Sequence, residues 1–235
     1  VFCWRPVEHT LGEEIDVELD EPAFIAEESV KRQRALLSGY WGEARASRQD
    51  VEEAYEPRHV AISLAGEPTN YPHIQELIRE FHGRGMTTFL VTNGQNPERL
   101  GEVEPTQLYL SLIAYDEDLY RRVNAPRVRD GWSRLQESID VLGDKGGRRV
   151  IRITLVRGYN LEHPERFAEL VSRCEPDYVE PKGYVHVGFS RRRLERDHMP
   201  TFREVYDFGR VLAEETGYAV KDALRGSKVV LLSKA

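Results

Sequence analysis

Cysteine is scarce in this sequence, with only Cys3 and Cys174 among 235 residues. Two thiols cannot build the disulfide framework that staples small secreted domains, and their settings differ. Cys3 stands in the Trp-flanked opening VFCWRPVEHT, and Cys174 in a helical stretch where a small packing residue suffices. Long apolar runs are also missing: none reaches the roughly 18 residues a membrane-spanning helix needs. The first residues lack the basic-then-apolar layout of a signal peptide, so the chain reads as soluble and cytoplasmic. There is no excess of positive charge either. A formal net charge of -7 means that bulk electrostatics would not draw the whole molecule to nucleic acid, although a local basic patch still can. Lysine is rare beside arginine, so each lysine can be weighed singly, and Lys182 stands out. No low-complexity linker divides the chain, and one domain over residues 1–235 is the economical reading.

What is present is a large apolar fraction, 40%, arranged in two alternating periods. AEESVKRQRALLSGYWG over Ala26–Gly42 spaces Val30, Leu36, Leu37 and Tyr40 as a helix. HVAISLAGEP is a strand with a turn, and YPHIQELIREFHGRG is a helix with Ile74, Leu77, Ile78 and Phe81 on one stripe. The pattern repeats through TTFLVTNG and QLYLSLIA (strands), GWSRLQESIDVLGDKGG (helix) and RRVIRITLV (strand). PERFAELVSRCE (helix), YVEPKGYVHVG (strand) and FREVYDFGRVLAEETG (helix) follow. SKVVLLSK closes the chain as a strand at the sheet edge. Such alternation predicts an α/β fold with parallel strands covered by helices, doubly wound or curled into a partial (β/α) barrel. Chemistry in such folds gathers beyond the C-terminal ends of the strands.

Those strand ends carry small and polar residues. Gly66 allows close backbone approach, the Glu67 carboxylate can accept from an ammonium group, and Pro68 stiffens the turn. Thr92, Asn93 and Gly94 end the next strand, and Ser111 is a hydroxyl inside an apolar strand that must find a partner. A period of two carried through Gly183 puts Glu180, Lys182, Tyr184 and His186 on one face. An edge strand with a solvated face is the plain alternative. Arg191, Arg192, Arg193 and Arg196 crowd the next turn, where guanidinium groups suit phosphates or make a solvated surface. Arg121, Arg122, Arg127 and Arg129 form a second basic patch of the same kind.

Taken together, VFCWRP, SLAGEPTNYPHIQELIREFHGRGMTTFLVTNGQNPE, LYLSLIAYDEDLYRRVNAP and KGYVHVGFSRRRL resemble the radical S-adenosylmethionine (SAM) enzymes. Within them they resemble the family of tRNA wybutosine-pathway 4-demethylwyosine synthases. The resemblance implies a partial radical SAM (β/α) barrel whose first strand precedes the sequence in hand. It also implies a CxxxCxxC loop whose three thiolates hold a 4Fe-4S cluster. Cys3 resembles the third of these, the second falling immediately before Val1. Gly66 and Glu67 match the family's Gly-Gly-Glu element at the methionine ammonium, with Ala65 replacing the first glycine. Thr92 and Asn93 match the lining of the cofactor site, Ser111 matches a polar contact to ribose or carboxylate, and the backbone of Leu155–Arg157 matches the adenine cradle. The departure of SLIA from the family's SLDA bears on Ser111.

By the same resemblance the reaction cleaves SAM to a 5'-deoxyadenosyl radical, which acts on 1-methylguanosine-37 of tRNA, and pyruvate carbons close a tricyclic base. The implied partners are tRNA, specifically tRNA-Phe, pyruvate and an external electron donor, with no membrane. Two clusters are implied in the full-length protein, with a pyruvate-binding lysine upstream of Val1. Lys182, Tyr184, His186, Arg191, Arg192 and Arg193 become candidate substrate or tRNA contacts. The alternatives are a radical SAM enzyme acting on a peptide or small molecule, a cluster-less tRNA-binding module, and an aldolase-like enzyme with Lys182 as nucleophile.

Overall fold

Apolar runs become strands, and each amphipathic stretch becomes the helix that carries the chain back to start the next one. The computed structural model describes residues 1–6, 18–64, 66–126 and 128–234. It begins with α1 (Pro22–Leu37), which runs into a 3-10 turn ending at Gly42, and α2 (Arg48–Tyr55). Then come β1 (His59–Ile62), α3 (Ile74–Gly83), β2 (Thr87–Thr92), α4 (Pro97–Glu102), β3 (Gln107–Ser111), α5 (Glu117–Asn124), α6 (Gly131–Asp144) and β4 (Arg148–Leu155). The chain continues through α7 (Pro164–Cys174), β5 (Tyr178–Gly183), α8 (Phe202–Thr216), β6 (Tyr218–Leu224) and β7 (Val229–Lys234).

Among the described residues the seven strands make one sheet in the order β1-β2-β3-β4-β5-β7-β6. Pairing is parallel from β1 to β5 and antiparallel in the last two pairs. The sheet is therefore mostly parallel and open. SKVVLLSK is not an edge: β7 sits inside, between β5 and β6, and the edge on that side is β6, a strand that the sequence pattern did not reveal, with β1 at the other. Its mixed burial gives no clean alternation, so nothing in YAVKDAL marks it beyond the glycine stop before it. β5 lies between β4 and β7, which removes the edge-strand reading of its polar face.

α3 buries Ile74, Leu77, Ile78 and Phe81 as its spacing predicts. α1 departs from prediction: it begins at Pro22, buries Pro22 and Ala26, ends at Leu37 and leaves Leu36 exposed, with Tyr40 exposed in the 3-10 turn beyond it. The core lies between the helices and the sheet face carrying Leu90, Leu108, Leu110, Ile151, Val179 and Leu232. α8 is fixed at both ends. Thr201 and Glu204 form a reciprocal capping box, and Gly217 at φ 73° closes the helix in the left-handed region before β6. Among the described residues no helix is long and apolar enough to cross a membrane.

Candidate active site

Because β1, β2 and β3 run parallel, the loops following them emerge on one rim, and one carboxylate ties the first two together. Glu67 Oε1 accepts from the Thr69 amide at 3.1 Å, the Thr69 hydroxyl at 2.7 Å and the Thr92 hydroxyl at 2.7 Å. Its Oε2 accepts from the Asn93 amide at 2.8 Å. The Thr92 oxygen in turn accepts from the Gly94 amide at 3.0 Å, and Asn96 Nδ2 reaches the Thr69 oxygen at 2.9 Å and Asn70 Oδ1 at 2.7 Å. AGEP and TNG, each weak by itself, are thus two halves of one network. Each carboxylate oxygen has two lone pairs, so Oε1, shared among three donors, is saturated, and Oε2, with one, keeps room for another. Beside it Gly66 is exposed, at φ 71°, and nothing stands within 4 Å of where a Cβ would be, which leaves its backbone open to a ligand. Ala65 lies outside the described residues.

On the sheet face opposite the core, the period of two brings together Tyr109 and Ser111 of β3, Arg152 and Thr154 of β4, and Glu180 and Lys182 of β5. The register pairs Ser111 with Arg152, Arg152 with Glu180, and Thr154 with Lys182. Arg152 Nε donates to Glu180 Oε1 at 2.8 Å, and its guanidinium stacks over the Tyr109 ring at 4.5 Å. Burial, then the Glu180 charge, raises the Tyr109 pKa, keeping its phenol protonated. The Ser111 hydroxyl and the Lys182 ammonium make no hydrogen bond among the described residues and remain available on this face. Arg152 and Tyr109 are functional candidates the sequence reading missed. The signal was present as a charge inside an apolar strand two residues from Val150, the same anomaly that picked out Glu180 and Lys182.

Tyr184 and His186 do not continue that face, because β5 ends at Gly183 and the period of two ends with it. Tyr184 is buried in a small cluster with Val156 and Leu194, and its hydroxyl meets Ser190 Oγ at 2.9 Å. His186 Nε2 lies 2.9 Å from the Leu194 carbonyl oxygen. Both side chains shape the 184–194 loop from within. The backbone expected to cradle adenine is also engaged: the Val156 amide donates to Asn160 Oδ1 at 2.7 Å and the Arg157 amide to the His198 carbonyl at 2.8 Å.

Of the three arginines, Arg191 and Arg192 are exposed, Arg192 stacking over Phe189 at 4.7 Å. Arg193 turns inward and donates to backbone carbonyls of the Cys3 segment. In the second basic patch Arg121 pairs with Glu117 and Arg122 stacks over Tyr159, while Arg127 lies outside the described residues. Cys3 is a free, partly exposed thiol, whereas Cys174 is buried and its pKa is pushed up to about 12 by burial, as expected of a packing residue.

The Radical SAM superfamily model matches residues 1–171, and the model for wyosine base formation matches residues 173–234. The S-adenosyl-L-methionine-dependent tRNA 4-demethylwyosine synthase of Pyrococcus abyssi is 45% identical over 100% of this chain and 70% of its own length. That of Methanocaldococcus jannaschii is 39% identical over 99% and 75%. A solved structure of TYW1 with a lysine-pyruvate adduct bound matches with a TM-score of 0.89 at 38% identity, covering 99% of this chain and 74% of that one. The chain belongs to the tRNA 4-demethylwyosine synthases of the radical SAM superfamily. In this radical SAM protein the two family models meet inside α7, yet their strands share one sheet, so the core passes through the junction without a break.

Proposed function

We propose that this protein is a radical SAM enzyme that forms the tricyclic 4-demethylwyosine base on tRNA, from 1-methylguanosine and carbons of pyruvate. The observation that carries the reading is the Glu67 network. One carboxylate joins the Gly66-Glu67 and Thr92-Asn93 loops into a preorganised rim with an open backbone and an unfilled acceptor position, where the ammonium of SAM would sit. Cys3 supplies one thiolate to a 4Fe-4S cluster. The reading assigns the remaining thiolates, and a lysine that takes up pyruvate, to residues outside the described ones, among which no three His, Cys, Asp or Glu side chains converge. When bound, cluster and SAM together supply the hydrogen-abstracting radical.

The chain's own residues orient and shield. Ser111 offers a hydroxyl to the ribose or carboxylate of SAM. Lys182 places a cation beside it for a substrate carboxylate or phosphate, and the Arg152–Glu180 pair over Tyr109 walls the sheet face at that level. Arg191 and Arg192 present guanidinium groups to the tRNA backbone on an otherwise acidic surface. tRNA-Phe is the substrate this reading assigns, an external donor supplies the electron, and the compartment is the cytoplasm.

The test uses full-length protein reconstituted without oxygen, with reductant, SAM, pyruvate and tRNA bearing 1-methylguanosine. Formation of 5'-deoxyadenosine together with a pyruvate-dependent tricyclic nucleoside, both read by mass spectrometry, supports the reading. 5'-Deoxyadenosine with unmodified tRNA overturns the substrate assignment. Neither product from iron-loaded protein overturns the enzyme.

A further inference from the structure

The turn after β5 grips the Cys3 segment at several points. The Phe189 amide donates to the Trp4 carbonyl at 2.9 Å. Gly188 sits at φ 58°, and a Cβ there would come within 2.4 Å of the same Trp4 oxygen, so only glycine permits the approach. Arg193 completes the contact: Nε donates to the Val1 carbonyl at 3.0 Å, Nη2 donates to the Cys3 carbonyl, and the Arg5 carbonyl lies 3.5 Å from Nη2. The carbonyl of the cysteine and those two residues to either side of it therefore converge on one planar fork, a geometry that a guanidinium serves and an ammonium does not. The turn itself is held from below by Tyr184 on Ser190 and by His186 against the Leu194 carbonyl.

We propose that Arg193, seated by Gly188 and Phe189, is a positioning residue that latches the cluster loop and sets how firmly the cluster is retained through Cys3. This inference rests on the radical SAM reading above. Holding the Cys3 carbonyl, with the Val1, Trp4 and Arg5 carbonyls around it, restricts the backbone at Cys3 and with it the direction of its Cα–Cβ bond, so less of the loop has to be ordered when iron binds. The latch also crosses a boundary. Cys3 falls in the stretch matched by the Radical SAM model, and Gly188–Arg193 in the stretch matched by the wyosine-forming model. The segment that distinguishes this family thus holds the segment that carries the general chemistry. It also explains why Arg193 is unlike its neighbours: in SRRR the third arginine is inward and structural, and the first two face solvent.

The experiment compares full-length wild type with Arg193→Ala, Arg193→Lys, Gly188→Ala and, as an exposed neighbour, Arg191→Ala. Iron release to a chelator is followed in reconstituted protein, and hydrogen exchange of peptides covering residues 1–6 is followed in iron-free protein. Arg193→Ala and Gly188→Ala are expected to lose iron at least about tenfold faster, the low end of one charge-assisted hydrogen bond. Both should raise exchange in residues 1–6 without iron. Arg193→Lys should fall between, and Arg191→Ala should match wild type. If Gly188→Ala does not fold, the two Arg193 variants carry the test. Wild-type iron release and exchange in Arg193→Ala would overturn the latch. A wild type that takes up no iron overturns the cluster reading beneath it, and the exchange data, which need no iron, tell the two failures apart.

Discussion

Replacing Thr92 with valine removes one oxygen from the rim and asks whether the Glu67 network behaves as a unit. That hydroxyl donates to Glu67 Oε1 at 2.7 Å and accepts from the Gly94 amide at 3.0 Å, on a residue only 2% exposed. Losing a hydrogen bond to a charged acceptor costs about 1.5–3 kcal/mol, and stranding a buried amide adds about 1–3 kcal/mol. Valine fills the same space and recovers a little by apolar burial, so the net destabilisation is expected at about 2–4 kcal/mol. Urea unfolding of wild type, Thr92→Val, Glu67→Gln and the double variant measures it, together with a coupling of about 1–2 kcal/mol between the two sites. SAM binding by calorimetry should weaken in both single variants, since the loops proposed to frame it are no longer tied. A Thr92→Val protein within about 0.5 kcal/mol of wild type, additive with Glu67→Gln, would refute the reasoning. The two loops would then be held by the core below them and not by this carboxylate.

Three more outcomes follow from local geometry. The Arg157 guanidinium, donating to Glu204 Oε1 at 2.9 Å, holds that carboxyl at about 2 instead of 4.5. A depressed carboxylate stabilises the fold above its ordinary value and loses that contribution as pH falls from about 4.5 towards 2. Discounted for solvent screening of a half-exposed pair, this is worth about 1 kcal/mol, so Arg157→Ala should lower the melting temperature at neutral pH and converge with wild type near pH 2. Gly94→Ala should cost about 2–4 kcal/mol in urea unfolding, because the residue is at φ 73° and a Cβ would lie 2.8 Å from Leu110 Cδ1. Arg152→Met strands the Glu180 carboxylate and should destabilise by about 2–3 kcal/mol, most of it regained on adding Glu180→Gln; a double variant as unstable as the single would place the loss elsewhere.

How much of this was legible in the sequence depends on the range of the interaction that fixes each feature. The stripe of α3 and the apolar runs of β2, β3 and β4 are set by burial within a few residues, and periodicity finds them. β6 is set by antiparallel pairing with β7, which no local pattern in YAVKDAL encodes, and α1 meets the core through Ile25, Ala26 and Val30 while Leu36 stays exposed, so the apolar spacing at its C-terminal end marks no packed face. At the site, Gly66, Glu67, Thr92 and Asn93 were visible as small and polar residues at strand ends, but their union through one carboxylate was not. Hydrogen bonds spanning 25 or 26 residues leave no local trace. Tyr184 and His186 were placed on the face of Lys182 by a period that Gly183 ends. Arg193 looked like its two neighbours in the SRRR run because sequence cannot tell which guanidinium turns inward.

The net charge raises the same question of range. An acidic total weighs against a polynucleotide partner only if the charges act as a sum, and here many are locally cancelled. Arg121, Arg134, Arg166, Arg173 and Arg210 each face a carboxylate within 3 Å. Beyond a Debye length of about 8–10 Å such pairs contribute little to what an approaching phosphate feels. Arg191, exposed and without a hydrogen bond or ion pair among the described residues, keeps its full charge on the turn after β5. That turn also anchors the Cys3 loop through Arg193. On the function proposed above, a phosphate bound by Arg191 would press on the same few residues that hold the Cys3 segment, and tRNA docking and the seat of the cluster ligand would share one short, internally braced segment.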